Sequence, residues 1–502
     1  MADRWPPEGF YRWVIMVLWL LLLVGVPITS FPPLAEAIGG VTVSPFSLLP
    51  LLILIPVFLV PDLLRGGRLP MVIWPLLGFV LAGLLSAGVA LFLPLIPFKG
   101  EDILGRVIHA GATLAVGLAF YLVASRLPST DGRWKITLWG LYVGGLLALI
   151  WATVQADYIL EGLNNVPGDL NQFHRLISIR DLERNRVTGL AFEPSWFGDQ
   201  LVVLYIPLWA GAVLNGRSLL RWHRGPISLE LGLCLWSGWL LLMTRSRVSV
   251  AALLLALGIG LVVVFWRLSG WFLAKVSSRG SWLATRSASW LLRTALLLVA
   301  IAIVLGTGYL AIRRGAQVDW RMRRVLSLSR ELPSIQQEYP FSAEYEIANR
   351  FAFAERLVYW RASMQGFTLN PLTGVGLGNA GFIFEQGVPS YGYNLVEIQA
   401  FMDPGQPNFP NPKNLWIRLL SEGGIMGFSF YITWLIMLGA IALKALRSEP
   451  EYRWLATTLV ISLIMQLVEG FSLDSFALPQ IWLLNGIATS RLLLKRPQSS
   501  GK

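Results

Sequence analysis

A single cysteine, Cys234, in 502 residues excludes a disulfide framework and a cysteine metal cluster. Its position inside an apolar run makes it a small core residue. The three histidines, His109, His174 and His223, are too dispersed in the sequence for a histidine zinc site. Charge is scarce as well, at 14% of residues, and lysine is nearly absent. Only Lys99, Lys135, Lys275, Lys413, Lys444, Lys495 and Lys502 occur among 41 basic residues. The excess of positive charge, +12 overall, is therefore arginine, which keeps its charge and offers a planar fork of donors suited to phosphate. No basic soluble domain is present, so nucleic acid is not an expected partner.

What the chain has is apolar length. Hydrophobic residues make up 55%, in runs near 13–29, 46–64, 71–96, 106–125, 136–155, 194–214, 227–243, 247–266, 294–312, 414–443, 454–470 and 475–492. Runs of this length are read as helices crossing a bilayer, so the expected fold is an all-α polytopic membrane protein of about twelve spans. Arg4 and Arg12 precede the first run, and Leu34-Ala-Glu-Ala mimics a signal-peptidase site. The run Trp13–Thr29 is long for a signal segment, so we read it as a retained helix.

Counting from the cytoplasm, alternate connectors are basic: Arg65 and Arg68; then Arg126, Arg133 and Lys135; then Arg217, Arg221 and Arg224; then Arg267, Lys275, Arg279, Arg286 and Arg293; then Lys444, Arg447 and Arg453; and last Arg491, Lys495 and Arg496. The intervening connectors Phe31–Pro45 and Phe471–Asp474 hold no Lys or Arg. The positive-inside rule thus puts both termini in the cytoplasm. The expected organisation is N-terminal spans in 1–156, a first outer loop in 157–193, central spans in 194–312, a large outer loop in 313–413 and C-terminal spans in 414–502.

The large loop, about 100 residues, is far longer than a connector needs to be. It carries Arg313, Arg314, Arg321, Arg323, Arg324, Arg330, Arg350, Arg356 and Arg361. Within it Glu344–Thr368 reads as a helix with Ile347, Phe351, Ala354, Val358 and Ala362 on one stripe, lying on the membrane surface or capping a cavity. The segment Gly376-Leu-Gly-Asn-Ala-Gly381 spells a dinucleotide fingerprint but lacks the strand before it and the helix after it.

Arg245 and Arg247 occupy the gap between the apolar runs Ile227–Leu242 and Val248–Trp266. That gap is too short for a loop, so both charges sit at a membrane lip, on the face where positive charge is normally scarce. A guanidinium in a span costs roughly 2.5–3.5 kcal/mol at the helix centre and less near the interface, and is usually retained for a purpose. Two fixed arginines there read as a receptor for an anion.

Four segments converge on the same face in this reading: Arg186-Val-Thr-Gly-Leu-Ala-Phe-Glu-Pro-Ser195; Thr244-Arg-Ser-Arg247; Arg356-Leu-Val-Tyr-Trp360 with Pro371-Leu-Thr-Gly-Val-Gly-Leu-Gly378; and Lys413-Asn-Leu-Trp-Ile-Arg-Leu-Leu-Ser-Glu-Gly-Gly-Ile-Met-Gly427. In this order, over about residues 180–430, they resemble the O-antigen polymerase and O-antigen ligase superfamily of bacterial envelope glycosyltransferases. The resemblance implies a GT-C-like membrane enzyme, independent of metal and cofactor, that uses undecaprenyl diphosphate-linked saccharides in the outer leaflet. Absence of an acidic DxD-like cluster from the outer loops agrees with it. Membrane lipids, flippase proteins and chain-length regulators are its implied partners.

Carried over residue by residue, the resemblance makes Arg186 (its Arg-x-x-Gly position) and Arg247 (its Ser-Arg position) ligands of the diphosphate. Negative charge grows on that leaving group, and fixed arginines aimed at it are the expected catalyst. Arg245, Arg356, Gly376, Gly378, Asn414 and Glu422 are the further candidates for substrate binding; snorkelling is the alternative for Arg245 and a surface salt bridge for Arg356, while Gly374–Gly378 would approach the substrate by its backbone. Glu422 is either a proton-handling group or the buried partner of an arginine, and the partner role is favoured.

The family commonly has a histidine where this chain has Lys413. A lysine binds phosphate as it stands but acts as a base only with a much lowered pKa, which weakens the ligase reading. Glu193, in a Glu-Pro-Ser sequence resembling the polymerase branch, is the other candidate base, with an N-cap role as its alternative. The expectation is a polymerase of lipid-linked repeat units into O-antigen, capsule or exopolysaccharide. A ligase moving the glycan to lipid or protein is the close alternative. A non-enzymatic flippase is the distant one, since charges cluster at one lip instead of lining the spans.

Overall fold

A computed structural model of the chain describes residues 9–67, 69–162, 166–219, 223–224, 227–277, 343–350, 353–406, 408–447 and 450–494, with isolated positions between 290 and 327. Arg4, Arg321, Arg324 and Arg330 lie outside the described residues.

The helices described include α1 (Phe10–Val24), α2 (Leu48–Leu64), α3 (Ile73–Ala90), α4 (Ile103–Arg126), α5 (Asp131–Leu160), α6 (Gly168–Arg175), α7 (Pro194–Leu214), α8 (Leu229–Thr244), α9 (Arg247–Ser277), α10 (Ala343–Arg350), α11 (Ala354–Leu369), α12 (Val396–Met402), α13 (Leu415–Ala445), α14 (Pro450–Glu469) and α15 (Pro479–Thr489), of which α6 and α10–α12 lie outside the apolar runs. The chain is a multi-pass membrane protein. Among the described residues, five helices are long and apolar enough to cross a membrane, α3, α4, α5, α7 and α13, the stretch with α4 continuing to Ser129. Shorter apolar helices include α1, α2 and α8. Five helices meet this criterion where about twelve spans were expected, and the shorter apolar helices leave the expected count open. Proline and wide turns account for part of the difference: α2 holds Pro56 and Pro61 and opens into a π turn at Ile55–Leu59.

Caps fix several helix starts. Asp102 accepts from Gly105 N at 2.6 Å before α4, and Ser228 accepts from Leu231 N at 3.3 Å before α8. Helices pack as α1 on α5, α3 on α13, α4 on α15, and α14 against α7, α9 and α13. Lipid is as apolar as leucine, so close contact decides these pairings more than water exclusion does. At the α4–α15 contact a Cβ on Gly486 would come within 2.7 Å of the Ala124 Cβ and the Tyr121 carbonyl. Trp434 stacks on Trp482 at 5.5 Å nearby, both buried.

A second, smaller apolar core lies in residues 343–402, built from Ala348, Ala354, Val358, Tyr359, Ala362, Phe384, Leu395, Ile398 and Phe401. Here the expected single helix Glu344–Thr368 is corrected. It is two helices, α10 and α11, with the Phe353 amide closing on the Ala348 carbonyl at 2.8 Å between them. The stripe residues Ala354, Val358 and Ala362 face this core, and α11 packs on α13. Its apolar face is covered by protein.

Candidate active site

Arg186 belongs to an irregular segment docked on the end of α8. Its Nε donates to the Thr244 carbonyl at 2.9 Å, and the neighbouring Val187 amide donates to the Met243 carbonyl at 3.1 Å. The last turn of a helix has unsatisfied carbonyls and partial negative charge, so a guanidinium there is favoured. This contact joins the first two motifs, 58 residues apart in sequence. Arg245 follows as the C-cap, in left-handed backbone with φ 52°, and its side chain is exposed. Arg247 opens α9 and is also exposed. A cation at a helix N-terminus is opposed by the helix dipole, whereas the amides there point toward an anion. Of the two lip arginines, Arg247 is thus the one that helix electrostatics alone does not favour.

Glu193 precedes α7 as its N-cap residue but makes no side-chain cap. Its carboxylate instead pairs with Arg180 at 2.9 Å and accepts from the Ser195 hydroxyl at 3.1 Å. Arg180 also reaches Glu183 at 3.1 Å, and Glu183 lies 3.7 Å from Arg186. One acid–base network therefore runs through the first motif.

Lys413 has left-handed backbone as well, φ 47°. Its ammonium pairs with the Glu397 carboxylate, lies 3.5 Å from the Tyr359 hydroxyl, and sits over the Tyr359 and Phe401 rings at 4.7 and 4.9 Å. Burial of Glu397 opposes its ionisation. The hydrogen bond and charge of Lys413, with bonding from Tyr359 and attraction from Arg356, outweigh that and hold the carboxyl below its ordinary range. Arg356, one turn before Tyr359 on α11, donates to the Phe471 carbonyl at 3.5 Å and the Ser472 hydroxyl at 3.4 Å.

The remaining candidates prove to be tied into the framework. Asn414 is the N-cap of α13, its Oδ1 accepting from Ile417 N at 3.1 Å, and it is buried. Glu422 pairs with Arg418 at 2.9 Å one turn earlier, and Arg418 also donates to the Asp474 carbonyl at 2.6 Å. Gly376 and Gly378 were expected to bring open backbone to the substrate. Both are buried against helices: a Cβ on Gly376 would lie 2.8 Å from the Ala90 Cβ, and one on Gly378 would lie 2.7 Å from the Arg106 carbonyl. Their positive φ values, 93° and 83°, let the chain turn tightly enough to seat on α3 and α4.

The second half of the third motif interlocks with the fourth. α13 is interrupted at Gly424, with φ 61° and ψ −167°. Into the break runs the segment Pro371–Gly376. Val375 N and Gly376 N donate to the Ser421 and Glu422 carbonyls at 2.9 and 3.0 Å, while Ile425 N and Met426 N donate to the Pro371 and Leu372 carbonyls at 2.9 and 3.3 Å. The groups freed by breaking the helix are thereby satisfied inside the protein, as an apolar surrounding requires.

The hub of these contacts is the turn after α14, which sequence reading treated as a plain connector. Gly470 accepts from Leu415 N at 2.7 Å, Phe471 and Ser472 receive Arg356, and Asp474 receives Arg418. Arg180, Glu183, Glu397, Arg418, Asp199 and Glu469 were not anticipated. A signal existed for two: Asp199 lies inside the apolar run 194–214 and Glu469 closes the run 454–470, and an ionisable group in a span is a functional candidate by default.

No curated protein matches the chain. Residues 232–432 match the family model described as O-antigen ligase, a stretch that holds the Thr244–Arg247, Arg356–Gly378 and Lys413–Gly427 motifs. That match supports the likeness of this segment to the O-antigen polymerase and ligase superfamily, glycosyltransferase-like membrane enzymes that act on lipid-linked sugars.

Proposed function

We propose that the protein polymerises undecaprenyl diphosphate-linked oligosaccharide units into a surface polysaccharide, at the outer face of the cytoplasmic membrane and with both termini inside. The observation that carries this reading is the contact of Arg186 with Thr244, which sets the Arg-x-x-Gly and Ser-Arg motifs side by side at one end of the bundle. In the reaction, an acceptor hydroxyl oxygen bonds to the donor's anomeric carbon. The bond from that carbon to the diphosphate breaks, and undecaprenyl diphosphate leaves with the electron pair. Arg186 and Arg247 hold the growing charge without a metal, and Arg245 and Arg356 extend the same positive field. A ligase activity on the same donor is the second reading, favoured by the family description at residues 232–432. Glu-Pro-Ser at 193–195 and Lys413 in place of histidine favour the polymerase.

Removal of the gene separates the two. A polymerase loss leaves single repeat units on the lipid carrier, and a ligase loss leaves full-length chains on it. An unchanged carrier-linked pool overturns both.

Glu193 and Lys413 are each tied to an opposite charge, Arg180 and Glu397. We assign them to holding the site's geometry and field instead of taking the acceptor's proton. A general base contributes about 10²–10⁴-fold, so its loss is readily seen. Glu193→Gln and Lys413→Met should each lower kcat by less than about tenfold. A loss of about 100-fold or more in either, with carrier binding intact, would make that residue the base.

A further inference from the structure

Beneath the arginine lip lies a buried pair of acids that the reading above does not use. Asp199, 1% exposed, is on the second turn of α7, and Glu469, 2% exposed, is the last residue of α14. They are close enough to act on each other's charge, and the charge of Arg356 also reaches Glu469. Asp199 Oδ2 accepts from the Gln480 amide. Three buried oxygens in this one place, Asp199 Oδ1, Glu469 Oε1 and Gln480 Oε1, have no hydrogen-bond donor. A bare acceptor in a dry interior is costly, more so for a charged group, so three together favour a proton shared among them. Asp199 also opens onto a cavity of about 20 Å³, shared with Asp474, Ser475 and Trp482. That is room for about one water.

A second line of contacts connects the pair to the lip. Ser249 lies within reach of the Glu469 carboxyl, and its hydroxyl lies 2.8 Å from that of Ser246. Ser246 stands between Arg245 and Arg247. Both serines are buried, and Gly198, the neighbour of Asp199, leaves the room they occupy: a Cβ there would lie 2.6 Å from Ser249 Oγ. Hydroxyls donate and accept at once, so each can pass on one proton while receiving another. Two carboxyls in one dry site do not both stay ionised, so the pair holds one proton and keeps one carboxylate free to accept a second.

We propose that Ser246, Ser249 and the Glu469–Asp199 pair form a proton relay that takes the acceptor hydroxyl's proton during glycan transfer, resting on the transfer reading above. As the acceptor oxygen bonds to the anomeric carbon, its proton passes to Ser246 Oγ. The Ser246 proton moves to Ser249, and the Ser249 proton moves to the free carboxylate at Glu469. The electron pair of the broken bond leaves with undecaprenyl diphosphate. The relay resets when the pair releases that proton through the water-sized cavity toward Asp474, which lies half-buried in the turn after α14.

The test uses the full-length protein in membranes, with lipid-linked glycan extracted from cells lacking the gene as donor and acceptor. Glu469→Gln and Ser249→Ala should each lower transfer by about 100-fold or more. Binding of undecaprenyl diphosphate should stay within about twofold of the parent, since neither residue touches it. Glu469→Asp, which keeps a carboxyl, should regain part of the loss; a merely structural role predicts no such rescue. Independently of turnover, difference infrared spectra should show a protonated carboxyl band at neutral pH that Glu469→Gln and Asp199→Asn each alter. Near-normal transfer in Ser249→Ala or Glu469→Gln overturns the relay, and so does absence of the band. Failure of the parent protein to transfer at all overturns the transfer reading instead.

Discussion

Arg247→Lys should reduce glycan transfer by about 10²–10³-fold, the usual consequence of removing one donor aimed at charge that develops in a transition state. The charge itself survives this substitution, so the effect isolates the guanidinium's planar fork, which can grip two oxygens of a diphosphate where an ammonium presents one point charge. Arg247 stands exposed at the start of α9, where the dipole opposes it. The protein should therefore reach the membrane in normal amount and keep its thermal midpoint in detergent. Arg186→Lys should differ in a measurable way. It loses the 2.9 Å bond from Nε to the Thr244 carbonyl, so transfer and thermal midpoint should fall together. Measuring both quantities on both variants separates loss of transfer from loss of the site's framework. Near-normal transfer by Arg247→Lys would remove this residue from the diphosphate site.

The apolar runs made the membrane class and most of the helices legible, because a period of about twenty apolar residues has few other solutions. The lip arginines were legible for the same reason, since a charge stands out against an apolar field. What stayed hidden depends on contacts between distant segments. Nothing local says that Arg180 pairs with Glu193, or that Glu397 pairs with Lys413. The stripe of Ala354, Val358 and Ala362 was legible as a helical face, while its partner stayed open, because an apolar stripe looks alike whether protein or lipid covers it. Asn414 was found as a polar residue at a helix mouth, and Glu422, a few turns into the span, as the favoured partner of an arginine. Their neighbours, Ile417 N and Arg418, fix one as a cap and the other as half of a buried ion pair. Asp199 and Glu469 were missed although each interrupts or closes an apolar run, the same signal that exposed Arg245 and Arg247.

Gly424→Ala should prevent accumulation of folded protein, while Gly423→Ala, one residue earlier, should be tolerated. The two positions share a sequence context but not an environment. At Gly424 the backbone has φ 61° and ψ −167°, a region open essentially to glycine alone, and occupying it with a side chain costs about 1–3 kcal/mol. The new Cβ would also lie 2.3 Å from the Leu372 carbonyl oxygen and 2.6 Å from the Thr373 amide nitrogen. These are backbone atoms, which have no rotamer to move aside. Relief requires Pro371–Gly376 to withdraw from the break in α13, releasing four backbone hydrogen bonds at 2.9, 3.0, 2.9 and 3.3 Å in surroundings that offer little water to replace them. Strain and overpacking together come to roughly 3–5 kcal/mol, a large share of the stability of most domains. At Gly423 a Cβ meets nothing within 4 Å and the backbone needs no left-handed turn, so alanine there should match or slightly improve the helix. Quantifying monodisperse protein by size-exclusion chromatography after membrane extraction checks the pair. Equal yields from Gly424→Ala and Gly423→Ala would mean that the interlock of the third and fourth motifs does not hold α13 in its broken form.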